Sequence, residues 1–225
     1  MKQAGLDMIE LGIQTLDDDV LLASRRGYSA RTARRACGTI REQGLGLGIQ
    51  IMPGLPGQTQ LAWQEEIREV CRLRPDVVRI YPCLVLEGTP LARLWQNGGY
   101  RPWDTEGAIR AISRATLRLW RNGIPVIRTG LPPERRLLPH ILDGPWHPAL
   151  GSLVRSRILW YLILGHAIPR ERSAIRKLDC PEKYQGELWG HRGCNREGLA
   201  RLGLTSRDVS YTKKRNEFVL HLAPC

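Results

Sequence analysis

The residues best suited to chemistry sit in the first half of the chain. The run Met52-Pro53-Gly54-Leu55-Pro56-Gly57 follows directly on an apolar stretch. Gly54 and Gly57 permit backbone geometry that other residues resist and let a ligand approach closely, and the prolines stiffen the turn. Such a turn serves either as a platform for a flat or charged ligand or as a tight structural turn. It has neither the Walker spacing nor GxGxxG, so it is not a standard phosphate loop. Gln14 brings an amide that both donates and accepts. Arg25 and Arg26, beside Gly27, either pair with a ligand carboxylate or close a helix end, where cations are favoured.

The six cysteines are Cys37, Cys71, Cys83, Cys180, Cys194 and Cys225, and no two have CxxC spacing. Reduced thiols are the expectation in a cytoplasmic chain, with Cys37 and Cys71 on apolar helix faces. Cys180, His191, Cys194 and Cys225 have zinc-ligand types but irregular spacing. All five histidines fall after residue 139, and no pair has helical metal-ligand spacing. They read as surface or structural groups.

Alternating elements must position these residues. Residues 8–14 read as a strand. Asp17 caps a short helix to residue 22, and Ser29 caps a second with Ala33, Ala36, Cys37 and Ile40 on one face, ended by Gly44. Residues 47–52 form a strand. Thr59 caps a helix to residue 73, residues 77–81 form a strand, and residues 82–103 read as a Gly/Pro-rich loop. Asp104 caps a helix with Ala108, Ile109, Ile112, Ala115 and Leu119 on one face, and residues 124–128 form a fourth strand. Strands separated by helices indicate parallel βαβ units, in a doubly wound sheet or part of a β/α barrel. Both folds place ligands at the C-terminal ends of strands: here residues 12–15, 52–57 and 81–83.

After residue 131 five prolines break the pattern. A buried helix is expected over 149–164 and a strand over 218–222. The organisation is therefore an α/β half, residues 1–130, and a smaller, mostly helical accessory region, residues 131–225.

Composition bounds the function classes. The 225 residues are 42% apolar and 25% charged, as in an ordinary globular protein. No apolar run approaches the roughly 18 residues that span a bilayer, and residues 1–7 have no signal-peptide core. A cytoplasmic location and no membrane partner are expected. The net charge of +12 comes almost wholly from arginine, and it is denser after residue 131. It is compatible with a nucleic-acid partner or with arginine-rich codon usage.

Four motifs in order carry a resemblance. They are Glu10-Leu11-Gly12-Ile13-Gln14; Arg26-Gly27-Tyr28-Ser29; Ile51 through Thr59 (IMPGLPGQT); and Arg79 through Leu91 (RIYPCLVLEGTPL), the last followed by Leu94 through Tyr100 (LWQNGGY). Together they resemble the second half of a radical S-adenosylmethionine enzyme. The group is the one that includes the catalytic subunit of Elongator and the oxygen-independent coproporphyrinogen oxidase. The resemblance implies the C-terminal half of a partial (β/α)6 TIM-like barrel. It implies S-adenosylmethionine and a [4Fe–4S] cluster as cofactors, an electron donor, and hydrogen abstraction from a substrate that the motifs do not identify. By this resemblance Gln14 is the cofactor-binding glutamine and Arg26 the carboxylate-binding arginine. Gln50 stands where relatives often carry a ribose-binding carboxylate, and Met52, Gly54 and Leu55 line the adenine region. The Elongator-like flavour implies transfer RNA as a partner, although its acetyltransferase domain is not recognisable after residue 131.

The CxxxCxxC that holds the family's cluster is absent, and no metal ligands are expected in this chain. Residues 1–6 resemble the end of the helix before the family's fourth strand. The expectation is an N-terminally truncated enzyme, inactive alone, with an exposed edge at its first strand. The alternatives are a non-catalytic half-barrel that binds a partner, and a tRNA- or other nucleic-acid-binding protein. Cys83 and Glu87 are the polar candidates around the segment read as the substrate loop, residues 84–100.

Overall fold

A computed structural model describes residues 5–132, 134–167, 175–213 and 218–222. They fall into two compact units, Met1–Gly151 and Ser152–Cys225. The division comes later in the chain than the compositional break at residue 131.

The first unit is built on four parallel strands in the order β1 (Met8–Gln14), β2 (Gly46–Ile51), β3 (Val77–Ile80) and β5 (Val126–Thr129). The connecting helices start where the sequence supplies caps. Asp17 accepts from the backbone of Asp19 and Val20 to open α1 (Asp18–Ala23), and Ser29 opens α2 (Ala30–Glu42). Thr59 opens α3 (Gln60–Leu73), and Asp104 opens α5 (Thr105–Arg121). Each cap satisfies a backbone N–H that the first helical turn leaves unpaired.

The two sheet faces differ in chemistry. Leu47, Ile49, Ile51, Val78 and Ile80 are at most 1% exposed. The helices meet the same sheet, α2 against β1 and β2, and α5 against β5 and α3. The alternating residues Glu10, Gly12, Gln50 and Arg79 are exposed or half-buried. On that polar face Arg79 of β3 donates to Glu10 of β1 at 2.9 Å, across the intervening strand β2. Gly48 of β2 makes the crossing possible: a Cβ there would lie 2.5 Å from Glu10 Cγ and 3.2 Å from Val77 Cγ2. β1 is an edge strand, paired only with β2 among the described residues.

The segment read as a loop over 82–103 holds two elements. β4 (Val85–Leu86) pairs antiparallel with β6 (Ile141–Asp143), and α4 spans Pro90–Gln96. Thr89 caps α4 with Pro90 in its first turn, where a missing N–H costs nothing. Trp95 of α4 donates its indole N–H to Asp143 of β6 at 2.9 Å, tying the helix to the β4–β6 pair. Val20, Leu55, Cys83, Val85, Ala92 and Tyr100 form the buried core of this assembly.

The second unit includes a sheet that the helical expectation lacked. β7 (Ile175–Pro181) pairs parallel with β8 (Val209–Thr212) and antiparallel with β9 (Val219–Leu222). The helix expected over 149–164 is α6 (Leu150–Ala167), which spans the division between the units, and α7 (Gln185–Trp189) and α8 (Arg196–Arg201) are short. Leu178, Cys180, Leu188, Leu199 and Leu204 are central to the unit's core. Trp160 packs so closely on α8 that a Cβ at Gly198 would lie 2.5 Å from its ring.

Candidate functional site at the strand ends

The chain leaves β1 through a strained turn. Gln14 has φ of 59°, a left-handed conformation uncommon for a residue with a side chain. The register of β1 on β2 breaks between Gly12 and Gln14. The Gln14 side chain lies back over Gly12, whose missing Cβ would sit 2.5 Å from the amide nitrogen. There Gln14 Oε1 accepts from Gln50 Nε2 at 3.2 Å, and Met52 N–H donates to the Gln14 carbonyl at 2.8 Å. The hydroxyl of Tyr28 reaches the carbonyls of Gly12 and Ile13 at 3.2 and 3.0 Å. Burial pushes that phenol above its ordinary pKa against the lowering effect of Arg26, so it remains a donor at neutral pH.

A second strained turn carries the arginines. Asp18 accepts from the backbone N–H of Ala30 at 2.6 Å, joining α1 to α2 and closing the turn between them. Within it Arg25 has φ of 53°. Arg25 and Arg26 line a cavity of about 520 Å³ whose apolar walls include Met52, Leu55, Pro56, Leu84, Leu86 and Leu91. Ser24 lines the same cavity, and its hydroxyl oxygen is buried with no hydrogen-bond partner. Cys83 is there too, but burial pushes its thiol up, which opposes the thiolate a nucleophile needs.

The cavity therefore has cationic residues and an apolar body. It suits a molecule with a carboxylate at one end and a flat or apolar part at the other. Arg26, Met52 and Leu55 share this cavity, whereas Gln14 and Gln50 lie outside its lining and meet each other beside it. Gly54 is placed differently. Its φ is 86°, a Cβ would lie 3.4 Å from the Trp103 ring, and its carbonyl accepts from Tyr100 at 2.6 Å. It fixes the turn beneath Trp103 rather than lining the cavity. Glu87 is exposed and pairs with His140 at 2.8 Å.

A buried polar chain beneath the turns escaped the sequence analysis. Thr15 donates to Glu66 Oε2 at 2.8 Å, Gln58 donates to the same oxygen at 2.9 Å, and Gln58 Oε1 accepts from Gly54 N–H at 2.7 Å. The β1 end and the Gly54 turn are thus both hung on Glu66 of α3. Desolvation pushes the Glu66 carboxyl up to about 8 despite those two bonds, and Asp17 and Glu69 add to the rise. The signal was the inward row Trp63, Ile67 and Val70, with Glu66 one helical turn from Trp63 and Val70. The partnerless Ser24 hydroxyl had no signature in the sequence.

The donor groups for a metal are dispersed. Among the described residues no three His, Cys, Asp or Glu side chains converge to hold a metal ion. Cys37, Cys83 and Cys180 are buried, Cys71 is half-buried and Cys194 is exposed. Cys225, a member of the irregular zinc set, lies outside the described residues, as do residues 1–4 of the segment read as a helix end. No helix among the described residues is long and apolar enough to cross a membrane.

A parallel sheet with helices on its apolar face and an arginine-lined cavity at the strand ends is the arrangement of a β/α protein with its ligand surface at the carboxyl edge. Residues 75–159 match the model of the Radical_SAM C-terminal domain. The tRNA uridine(34) acetyltransferase of Methanocaldococcus jannaschii is 36% identical over 159 residues, which cover 68% of this chain and 28% of that protein. Elongator complex protein 3 of Mus musculus is 29% identical over 159 residues, with the same two coverages. The solved structure of the archaeal Methanocaldococcus infernus Elp3 with an N-terminal deletion superposes with a TM-score of 0.59 and 30% identity, over 73% of this chain and 37% of that one. The chain belongs to the radical S-adenosylmethionine family, in the Elongator-like group. It spans under a third of the length of the curated relatives it matches.

Proposed function

We propose that this chain supplies the S-adenosylmethionine-holding half of a radical enzyme. In this reading β1, β2, β3 and β5 are the C-terminal half of a (β/α)6 barrel at residues 1–130, and residues 131–225 are an accessory region. The observation that carries it is the strand-end cavity, where Arg26 meets an apolar body beside the Gln14–Gln50 amide pair. Arg26 takes the carboxylate of S-adenosylmethionine, because a guanidinium fork donates to carboxylate oxygens. The Gln14 and Gln50 amides face its polar groups. Met52 and Leu55 flank the adenine, with Gly54 holding their turn in shape.

S-adenosylmethionine beside a reduced iron–sulfur cluster would supply the chemistry to take hydrogen from an unreactive C–H bond. The described residues do not fit the cluster: their cysteines are dispersed and converge with no other ligand. In this reading cluster ligands and an electron donor come from elsewhere, and the chain alone is inactive. The open edge of β1, with exposed Met8 and half-buried Ile9 and Leu11, suits the addition of a further strand. The relatives named for tRNA uridine acetylation support a tRNA substrate and a cytoplasmic setting.

Equilibrium binding of S-adenosylmethionine tests the site. Arg26→Gln is expected to weaken binding about 10- to 100-fold through a lost charge-assisted pair, with an unchanged unfolding curve. Unchanged affinity would remove the cavity from the proposal. Iron and acid-labile sulfide should stay near background after anaerobic reconstitution, and a stable [4Fe–4S] cluster on this chain would sink the claim about its ligands.

Gly12→Ala separates positioning from folding. The added Cβ meets only the far end of the Gln14 side chain, so the amide swings off Gln50. A several-fold loss of S-adenosylmethionine affinity is expected with a stability change under about 1 kcal/mol. Parallel urea titrations and binding isotherms check it, and a large stability loss with intact affinity contradicts it.

A further inference from the structure

The outer layer of the first unit carries a row of arginines. Arg110, Arg114, Arg118 and Arg121 lie on α5. At 100° per residue they fall within a sector of about 80°. Arg110 is held by Glu106 at 3.4 Å. Arg114, Arg118 and Arg121 line a cleft of about 270 Å³ between α5 and α3. Gln60 and Gln64 of α3 line its other side, and buried Trp63 joins the two helices by donating to the Ala111 carbonyl at 3.4 Å.

No carboxylate lines this cleft. The acidic residues of α3 are engaged elsewhere: Glu65 with Arg68, Glu69 with Arg34, and Glu66 with Thr15 and Gln58. Among the described residues no ion pair neutralises Arg114, Arg118 or Arg121. Three like charges on one helix face repel one another, so the row gains from a multiply charged anion. Their rises along the helix are about 6 and 4.5 Å, comparable to the spacing of successive phosphates on a nucleic-acid strand. Guanidinium forks fit phosphate oxygens, and the two glutamine amides can meet ribose hydroxyls or base edges.

The cleft also has a direction. Gln60 borders a second cavity of about 620 Å³ that holds Trp103, the ring lying against Gly54 at the strand-end turn, with Arg101 on its lining and the carboxylates Asp104 and Asp143 engaged by the Gly107 N–H and the Trp95 indole. A strand tracking Arg121, Arg118 and Arg114 reaches Gln60 and then an aromatic ring. Basic grooves that end on aromatic platforms are a general way to hold single strands.

We propose that the α3–α5 cleft docks the sugar-phosphate backbone of an RNA strand through Arg114, Arg118 and Arg121 and leads it toward the strand-end turn. The inference rests on the RNA-partner reading above and adds where the chain holds the strand.

The test is fluorescence anisotropy of the full chain with a 20-nucleotide oligouridine across a range of KCl concentrations. For a single strand, the log–log salt dependence shallows by about 0.7 for each phosphate the protein ceases to neutralise. The triple variant Arg114→Gln/Arg118→Gln/Arg121→Gln should therefore lower the slope by about 2 and weaken low-salt binding at least tenfold. The matching triple lysine variant should keep most of the slope, which shows that charge carries the effect. S-adenosylmethionine binding and the unfolding curve should be unchanged. If the parent chain binds RNA and the triple glutamine variant keeps its slope, the cleft is overturned while the RNA reading stands. Absence of RNA binding at low salt removes both. Polyglutamate competing as well as RNA at equal charge overturns the choice of occupant.

Discussion

Glu66→Gln is expected to abolish a pH dependence of stability that the parent chain shows between about pH 4.5 and 8. The carboxyl is 4% exposed and holds its proton up to about 8 in the folded state. In the unfolded chain it releases the proton near an ordinary carboxyl pKa of about 4.3. Its contribution is therefore complete below that value and is lost as pH rises toward the folded pKa. With 1.36 kcal/mol per pKa unit, the loss is of order 3–5 kcal/mol. Oε2 accepts from both Thr15 and Gln58, so the proton belongs on Oε1, which has no partner. Glutamine keeps the shape and cannot ionise. Urea unfolding at pH 5 and pH 8.5 should show the variant gaining on the parent at the higher pH, and parallel curves would refute the buried-proton account.

The second large effect concerns Trp63. It is 1% exposed on α3, and its indole nitrogen reaches the Ala111 carbonyl of α5. Trp63→Ala should cost about 3–5 kcal/mol, because a cavity remains where the ring was. A typical domain has about 5–15 kcal/mol in total, so the variant should unfold far earlier in urea or on heating. Trp63→Phe keeps most of the apolar area and should cost much less. Equal losses for both would mean that the hydrogen bond, and not the ring volume, joins the helices.

The parts of this molecule that were legible in the sequence obey local rules. Asp17, Ser29, Thr59 and Asp104 each open a helix because a short polar side chain competes for the first free N–H groups, and that competition needs no tertiary context. The alternation of these helices with short apolar runs gives a parallel sheet with its ligand surface at the strand ends. Thr89-Pro90 was the same kind of signal, obscured by the surrounding glycines, so α4 was read as loop. β7 was missed because Ile175–Pro181 alternates core residues with Arg176, Lys177 and Asp179, which reads as a solvated segment until its partners β8 and β9 are found.

The candidate site divides along the same line. The types and order of Gln14, Arg26, Gln50, Met52, Gly54 and Leu55 were readable. Their individual contacts were not. That Gln14 meets Gln50, that Arg26 shares a cavity with Met52 and Leu55, and that Gly54 lies under Trp103 all depend on turns with left-handed backbone at Gln14, Arg25 and Gly54. Such conformations are imposed by the surroundings. The arginines of α5 were visible one by one, but a row becomes a binding surface only when α3 supplies a wall without carboxylates.

The bridge from Glu10 to Arg79 over Gly48 has a consequence for assembly. Sixty-nine residues separate its ends, and it can close only after β2 has docked between β1 and β3. If β2 slid by one residue, Leu47 or Ile49 would replace Gly48 beneath the bridge, and its side chain would push Glu10 and Arg79 apart. The pair therefore acts as a proofreading latch. It closes on one alignment of the three strands, and that alignment brings Gln50 level with the end of β1.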